Sequence, residues 1–167
     1  LSSSSAASDV YKRQVQRIAQ RCGLKGPFVR GEDLFRGAVS ATPMEMAIGL
    51  ATLASGGYRM EPYLVVAVQD VEGKECFRRR PQRFLALGRQ AAKQGLAVLS
   101  SSQGSDCFTG ATGSEREAWT LRVGPRGSTA IWVGFDQPKI ITHESRLKLL
   151  LGEIVDRLDN QRGRKER

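Results

Sequence analysis

Residues 107–119 read Cys-Phe-Thr-Gly-Ala-Thr-Gly-Ser-Glu-Arg-Glu-Ala-Trp. The stretch predicts an apolar strand start at Cys107 and Phe108, a small-residue turn through Gly113, a polar loop from Ser114 to Glu117, and a second strand opening at Ala118 and Trp119. Small residues at Gly110, Ala111 and Gly113 let another backbone or a ligand come close. Thr109 and Thr112 add hydroxyls beside exposed backbone N–H groups, a combination that suits a carboxylate. A Thr-Gly-rich turn also serves as a plain hairpin connection, so the surrounding chain has to decide between a site and a connector.

Outward from that stretch, three segments predict an antiparallel unit. They are a strand at 106–109, a strand at 118–123, and a third at 129–135 after the turn Gly124-Pro125-Arg126-Gly127. Trp119, Leu121 and Val123 alternate with Thr120 and Arg122, which predicts one buried face. Both faces of Ala130–Phe135 are apolar, which predicts a central strand covered on both sides. Leu147, Leu150, Leu151, Ile154, Val155 and Leu158 follow at helical spacing and predict a helix packed on this sheet. Beyond Asn160 the basic tail, 161–167, is expected to fray.

Upstream, Val15, Ile18, Ala19 and Cys22 predict a short helix that Gly23 ends, followed by a loop from Leu24 to Arg36. Thr42-Pro43-Met44-Glu45 is a capping box with Pro at the first helical position, so a helix starts there. Its apolar stripe of Met46, Ala47, Leu50, Leu53 and Ala54 reads as core, and Gly56-Gly57 ends it. Tyr63–Gln69, a turn at 70–74 and Glu75–Arg78 predict a hairpin. Phe84–Leu99 carries a helical period weakened by Gly88 and Gly95, and Ser100–Ser105 predicts a polar loop. Residues 1–14, LSSSSAASDVYKRQ, lack the apolar segment of a signal peptide. They resemble translated sequencing-adapter read-through and are expected to be non-native.

Composition narrows the function classes. The 167 residues suit one domain, with 40% hydrophobic and 26% charged residues, ordinary values for a globular protein. The net charge of +9 is concentrated at Arg78-Arg79-Arg80 with Arg83 and in the tail. Neither run interleaves aromatics, which argues against nucleic acid as a partner. Cys22, Cys76 and Cys107 are odd in number and far apart, and His143 is the one histidine. No metal site, cofactor site or disulfide framework is predicted, and the cysteines read as small buried hydrophobes. A Cys107–His143 nucleophile pair has no supporting spacing.

Two stretches together resemble the transpeptidase domain of penicillin-binding proteins, in the serine β-lactamase-like superfamily, and above all the C-terminal end of the bifunctional class A members. Ala41–Tyr63, ATPMEMAIGLATLASGGYRMEPY, is similar to the family's Thr-Pro-x-Glu-Met-Ala helix, its Gly-Gly-Tyr turn and its Pro-Tyr strand entry. Phe108–Asp136 sets TGATGSEREAW where the family has a Lys-Thr-Gly strand, a turn and an Asp-Ala-Trp strand, and AIWVGFDQP matches the next strand. The resemblance covers about Val15 to Pro138 and implies an α+β fold, an antiparallel sheet flanked by helices, as part of that domain. Residues 15–160 are then expected to be the C-terminal part of a transpeptidase-like domain.

The resemblance also implies a chemistry. In the family a serine of a Ser-x-x-Lys motif attacks a D-alanyl-D-alanine stem, and the acyl-enzyme is resolved by a neighbouring stem's amine. The substrate-binding positions carried over are Phe108, Thr109, Gly110, Ala111 and Thr112. Thr109 would hold the carboxylate, Gly110 would admit substrate backbone, and the Ala111 N–H would serve an oxyanion hole. Phe108 stands where the family has its motif lysine, which implies a degenerate site. No Ser-x-Asn occurs, and the one Ser-x-x-Lys by letter, Ser145–Lys148, follows the strand motif and sits on a helical pattern. No catalytic residue is therefore expected in this chain. The partners implied are a peptidoglycan stem peptide or a β-lactam, bound through the complete domain with its upstream part. The location implied is the periplasmic or extracytoplasmic face of the inner membrane. The alternative is a non-catalytic basic module for cell-wall polymer or a protein partner.

Overall fold

A computed structural model of the chain describes residues 3–29, 31–103, 107–111, 116–124, 127–137, 139–142 and 144–165. Among them run α1 (Ser3–Cys22), a 3-10 turn (Glu32–Arg36), α2 (Pro43–Ala54), β1 (Tyr58–Met60), β2 (Ala67–Gln69), β3 (Glu75–Arg78), β4 (Arg83–Leu85), α3 (Arg89–Gln103), β5 (Cys107–Ala111), β6 (Glu117–Gly124), β7 (Gly127–Gly134) and α4 (Glu144–Lys165). All strand pairs are antiparallel, in three sheets: β1 with β4, β2 with β3, and β5-β6-β7. This is the α+β arrangement expected.

The capping box forms as the sequence predicts. The Thr42 hydroxyl accepts from the Glu45 N–H at 3.2 Å, and the Glu45 carboxylate accepts from the Thr42 N–H at 3.0 Å. Those bonds satisfy two of the donors a helix start leaves open, and Pro43 adds none of its own. They also explain why Glu45 is tolerated in a buried position. At the other end Gly56 and Gly57 have φ of 75° and 96°, the left-handed region that stops the helix. Of the predicted stripe, Leu50 is buried while Ala54 is exposed.

The core lies between the three-stranded sheet and its two helices. Val123 and Ser128 pair across β6 and β7, and the Ser128 hydroxyl donates to the Ala47 carbonyl of α2 at 2.7 Å. That side of the sheet therefore faces α2. On the other side Arg122 bonds Asp156 of α4. Leu151 and Val155 of α4 and Ala118 and Thr120 of β6 are buried. Burying Leu151 and Val155 contributes about 1.5–3 kcal/mol each.

Several sequence expectations are corrected. The most buried residues of β6 are Ala118 and Thr120, not the Trp119-Leu121-Val123 face, because α4 covers the first face fully and α2 covers the second only in part. Among the described residues β6 is the central strand and β7 an edge, so the apolar character of Ala130–Phe135 is not matched by cover, and Trp132 and Phe135 are exposed. On α4, Leu151 and Val155 are buried while Leu150, Ile154 and Leu158 lie on an exposed flank. The basic tail does not fray at Asn160, since the helix backbone continues to Lys165.

Local boundaries shift as well. Helix α1 starts at Ser3 rather than Val15, with Asp9 and Lys12 paired one turn apart. The loop at 24–36 contains the 3-10 turn, closed by Gly37 in the left-handed region. Only Ala67–Gln69 of the predicted strand at 63–69 is in a ladder. The helical period read over Phe84–Leu99 conceals strand β4 followed by α3, which starts at Arg89 and runs on to Gln103 through the predicted polar loop. Cys22 is buried but Cys76 is exposed, because β3 has no cover.

The chain exposes 12494 Å². A compact monomer of this mass exposes about 8,100 Å². The exposed apolar side chains include Val15 and Ile18 of α1 and Trp132 of the sheet.

Candidate functional site

Strand β5 carries the predicted site, and the structure describes its backbone. Cys107 pairs with Arg122, Phe108 with Leu121, Thr109 with Thr120, Gly110 with Trp119 and Ala111 with Ala118. Directly opposed antiparallel residues share a sheet face. Positions 108 and 110 are therefore on the α2 side with Leu121 and Trp119, and positions 109 and 111 are on the α4 side with Thr120 and Ala118. Thr112, the last of the predicted substrate residues, lies outside the described residues, as does His143. The backbones of Ser145 and Lys148 are in α4.

Among the described residues, β5 pairs on one side only, with β6. Its outer edge therefore offers backbone N–H and C=O groups to an extended peptide, the geometry of strand addition. Glycine at position 110 lets such a peptide approach without a Cβ in the way.

Behind β5 the sheet holds a polar-aromatic cluster that the sequence reading did not single out. Trp119 and Trp132 are directly opposed on β6 and β7, with ring centroids 6.5 Å apart and tilted by 58°. The Trp132 indole N–H donates to the Glu117 carboxylate at 2.7 Å. Gly134, opposite Glu117, makes room for this: a Cβ there would sit 2.4 Å from the Trp132 ring. Glu117, Trp119, Trp132 and Gly134 thus form one unit on the α2 side. The available signal was the two-residue spacing of Glu117 and Trp119 and of Trp132 and Gly134, which strand periodicity places on one face.

On the opposite face the Thr120 hydroxyl is buried and has no hydrogen-bond partner among the described residues. Unsatisfied buried hydroxyls are uncommon. This one sits opposite position 109, where the second threonine of the strand pair lies.

A groove of about 510 Å³ lies elsewhere, between α2, β1 and the β6–β7 turn, lined by Met44, Ile48, Ala51, Tyr58, Met60 and neighbours. Its serine hydroxyls are already engaged: Ser55 donates to the Tyr58 carbonyl at 2.6 Å and Ser128 to the Ala47 carbonyl. The rest of its lining is mostly apolar, with Tyr58 and Glu61 as further polar members. Among the described residues no group of three or more His, Cys, Asp or Glu side chains could hold a metal ion, and no helix is long and apolar enough to cross a membrane.

The chain matches no family model. It is similar to penicillin-binding protein 1A of Haemophilus influenzae, 41% identical over 64 residues, covering 38% of this chain and 8% of that protein. It is 26% identical over 125 residues to penicillin-binding protein 1A of Neisseria lactamica, covering 62% of this chain and 15% of that protein. To penicillin-binding protein 1F of Bacillus subtilis it is 25% identical over 114 residues, covering 58% of this chain and 16% of that protein. The chain thus spans under a fifth of the length of these relatives.

Among solved structures, penicillin-binding protein 1A from Haemophilus influenzae superposes with a TM-score of 0.66 at 24% identity, covering 75% of this chain and 27% of that one. Penicillin-binding protein A from M. tuberculosis, as its imipenem acyl-enzyme complex, gives 0.60 at 20% identity, covering 74% and 37%. These likenesses establish the fold over three-quarters of the chain, and the sequence relatives carry the same family name. The chain is similar in sequence to stretches of penicillin-binding proteins 1A and 1F, and over three-quarters of its length it has the fold of part of a penicillin-binding protein.

Proposed function

We propose that this chain supplies the substrate-side strand and its support in a protein that acts in peptidoglycan cross-linking, by acyl transfer from D-alanyl-D-alanine stems. The observation that supports the reading is β5, an edge strand among the described residues, with Phe108-Thr109-Gly110-Ala111 paired to β6; the sequence resemblance sets these residues against the family's Lys-Thr-Gly strand. An extended stem peptide or a β-lactam would lie along that open edge. Thr109 would hold the carboxylate, Gly110 would admit the backbone, the Ala111 N–H would stabilise an oxyanion, and Thr112 would border the substrate. The nucleophile belongs to a part of the domain outside these residues, and the isolated chain turns nothing over. Anchoring at the extracytoplasmic face of the inner membrane would also come from elsewhere in the protein.

Phe108 makes the site degenerate. A phenyl ring can neither donate to a carboxylate nor manage a proton, both of which a lysine at that position does. The test is acylation of the full-length protein by a fluorescent penicillin. Labelling should be far below one equivalent and should rise in the Phe108→Lys variant, whereas stoichiometric labelling of the unmodified protein would sink the degenerate-site reading.

A second reading, a basic module for cell-wall polymer or a protein partner, is favoured by one observation. The run Arg78-Arg79-Arg80 closes a hairpin that stands open to solvent, although Arg78 is paired with Glu75 and Arg79 with Glu61. Retention on peptidoglycan should fall when the three arginines are replaced by serine. Unchanged retention removes this reading.

A further inference from the structure

We propose that Glu117, Trp119, Trp132 and Gly134 act as a positioning unit for the Gly110–Ala111 backbone, holding the edge on which the proposed acyl chemistry depends. The inference rests on the reading of β5 as the substrate-side strand. Position 110 has no side chain, so on the α2 side of the sheet the row Gly110–Trp119–Trp132 has an empty place at the strand that would meet substrate. A strand with glycine at such a place lacks cross-strand side-chain packing of its own and is loosened by it. An aromatic ring on the neighbouring strand can compensate by covering the glycine, provided the ring is itself held.

Three contacts hold it. Trp132 buttresses Trp119 from the β7 side at 6.5 Å between centroids. The Glu117 carboxylate fixes the Trp132 indole through its N–H at 2.7 Å. Gly134, opposite Glu117 and two residues on from Trp132, leaves the indole its space, since a Cβ there would sit 2.4 Å from the ring. Each member alone has a plain structural explanation. Their arrangement does more, because it spans the sheet from β7 to β5 and ends at Gly110, next to the Ala111 N–H assigned to the oxyanion. These are positioning residues, since none of them reaches a substrate laid along the outer edge of β5.

Hydrogen exchange on the full-length protein tests this, comparing peptides that cover 107–111 with peptides that cover α2. Trp132→Ala and Gly134→Ala should speed exchange at 107–111 by roughly threefold to tenfold and leave α2 unchanged. Glu117→Ala should give a smaller increase, and Glu117→Gln, whose amide oxygen still accepts from the indole, should restore the wild-type rate. Unchanged exchange at 107–111 in all the variants overturns the proposal. If Trp132→Ala loosens α2 as well, Trp132→Phe and Glu117→Ala decide: a change confined to 107–111 supports the unit, and an equal change in both regions overturns it. Penicillin labelling of the same variants tests the reading of β5 separately. Where labelling is measurable, Glu117→Ala should slow acylation and Glu117→Gln should not. A protein that does not label even as the Phe108→Lys variant removes the acyl-transfer reading while the exchange data still decide the positioning.

Discussion

Residues 58–85 build two small antiparallel sheets of nearly equal size, and they are held in opposite ways. In the β2–β3 hairpin the ladder is short, Val68 and Phe77 are opposed yet both exposed, and Val71 at the turn is fully exposed. What organises it is local: Asp70 accepts from the N–H groups of Glu72 and Lys74 at 3.0 and 2.9 Å, and the Arg78–Glu75 pair lies within one strand. The β1–β4 pair is also three residues long, but it is fastened from outside. The Gly57 carbonyl accepts from both Ala86 and Leu87 at 2.9 and 3.1 Å, and Arg21 of α1 donates to the Leu85 carbonyl at 3.1 Å. Arg59 lies over Phe84 and Arg83 over Tyr58, at 5.4 and 5.0 Å from the ring centroids. A two-stranded ribbon is marginal in water unless something packs on it. Among the described residues one of these ribbons is packed by its neighbours, while the other is tied to the rest only at its end, through Arg79 and Glu61.

The contrast predicts where substitutions hurt, measured as urea unfolding of the full-length protein. Gly57→Ala should be the most damaging, costing about 3 kcal/mol, because the left-handed backbone disfavours alanine and its Cβ would meet the Leu87 carbonyl oxygen. Ala86→Leu, which overfills a site 2% exposed beside the same junction, should cost about 2 kcal/mol. In the hairpin, Asp70→Ala removes the acceptor for two turn amides and should cost about 1 kcal/mol, seen chiefly as faster local hydrogen exchange. Val71→Ser should lie within about 0.5 kcal/mol of wild type, and a larger loss would mean that the hairpin is covered in the full-length protein.

A thiol probe sharpens the same comparison without altering stability. Burial pushes the Cys22 thiol up, and the nearby Arg21 and Arg59 only partly counter this. Cys22 beside β1 therefore has less thiolate at neutral pH as well as less access, and Cys76 on β3 is exposed. Alkylation by iodoacetamide should reach Cys76 first, and a faster Cys22 would mean that the β1–β4 side opens.

The two ribbons also mark what pattern reading can reach. The hairpin is visible in the sequence because Asp70-Val71-Glu72-Gly73-Lys74 is a turn between two β-rich runs, so its pairing partner is next door. The β1–β4 pair is not, because each strand is only three residues and their partnership spans the entire hairpin. Phe84 and Leu85 instead fit a helical period shared with the real helix that follows. The site divides in the same way. Its strand and its neighbour were legible at 106–109 and Ala118–Val123, since alternation and apolar runs are local signals, but Gly110 and Ala111, which the sequence assigns to a turn, continue β5 because they pair with Trp119 and Ala118. The Glu117–Trp132 contact was not, because it depends on the β6–β7 register.

By itself the sequence determined the start and stop of α2, through the capping box at Thr42 and Glu45 and the Gly56-Gly57 stop, and the order of the final three strands. It also determined that position 108 carries no charge. These follow from hydrogen bonds and backbone preferences that act within a few residues. Only the tertiary structure decided that β6 and not β7 is central, that Ala118 and Thr120 rather than Trp119 are the most buried, and that two tryptophans and a glutamate stand behind Gly110. Those outcomes depend on which face of a strand meets a helix, and that is set by packing between segments far apart in the chain.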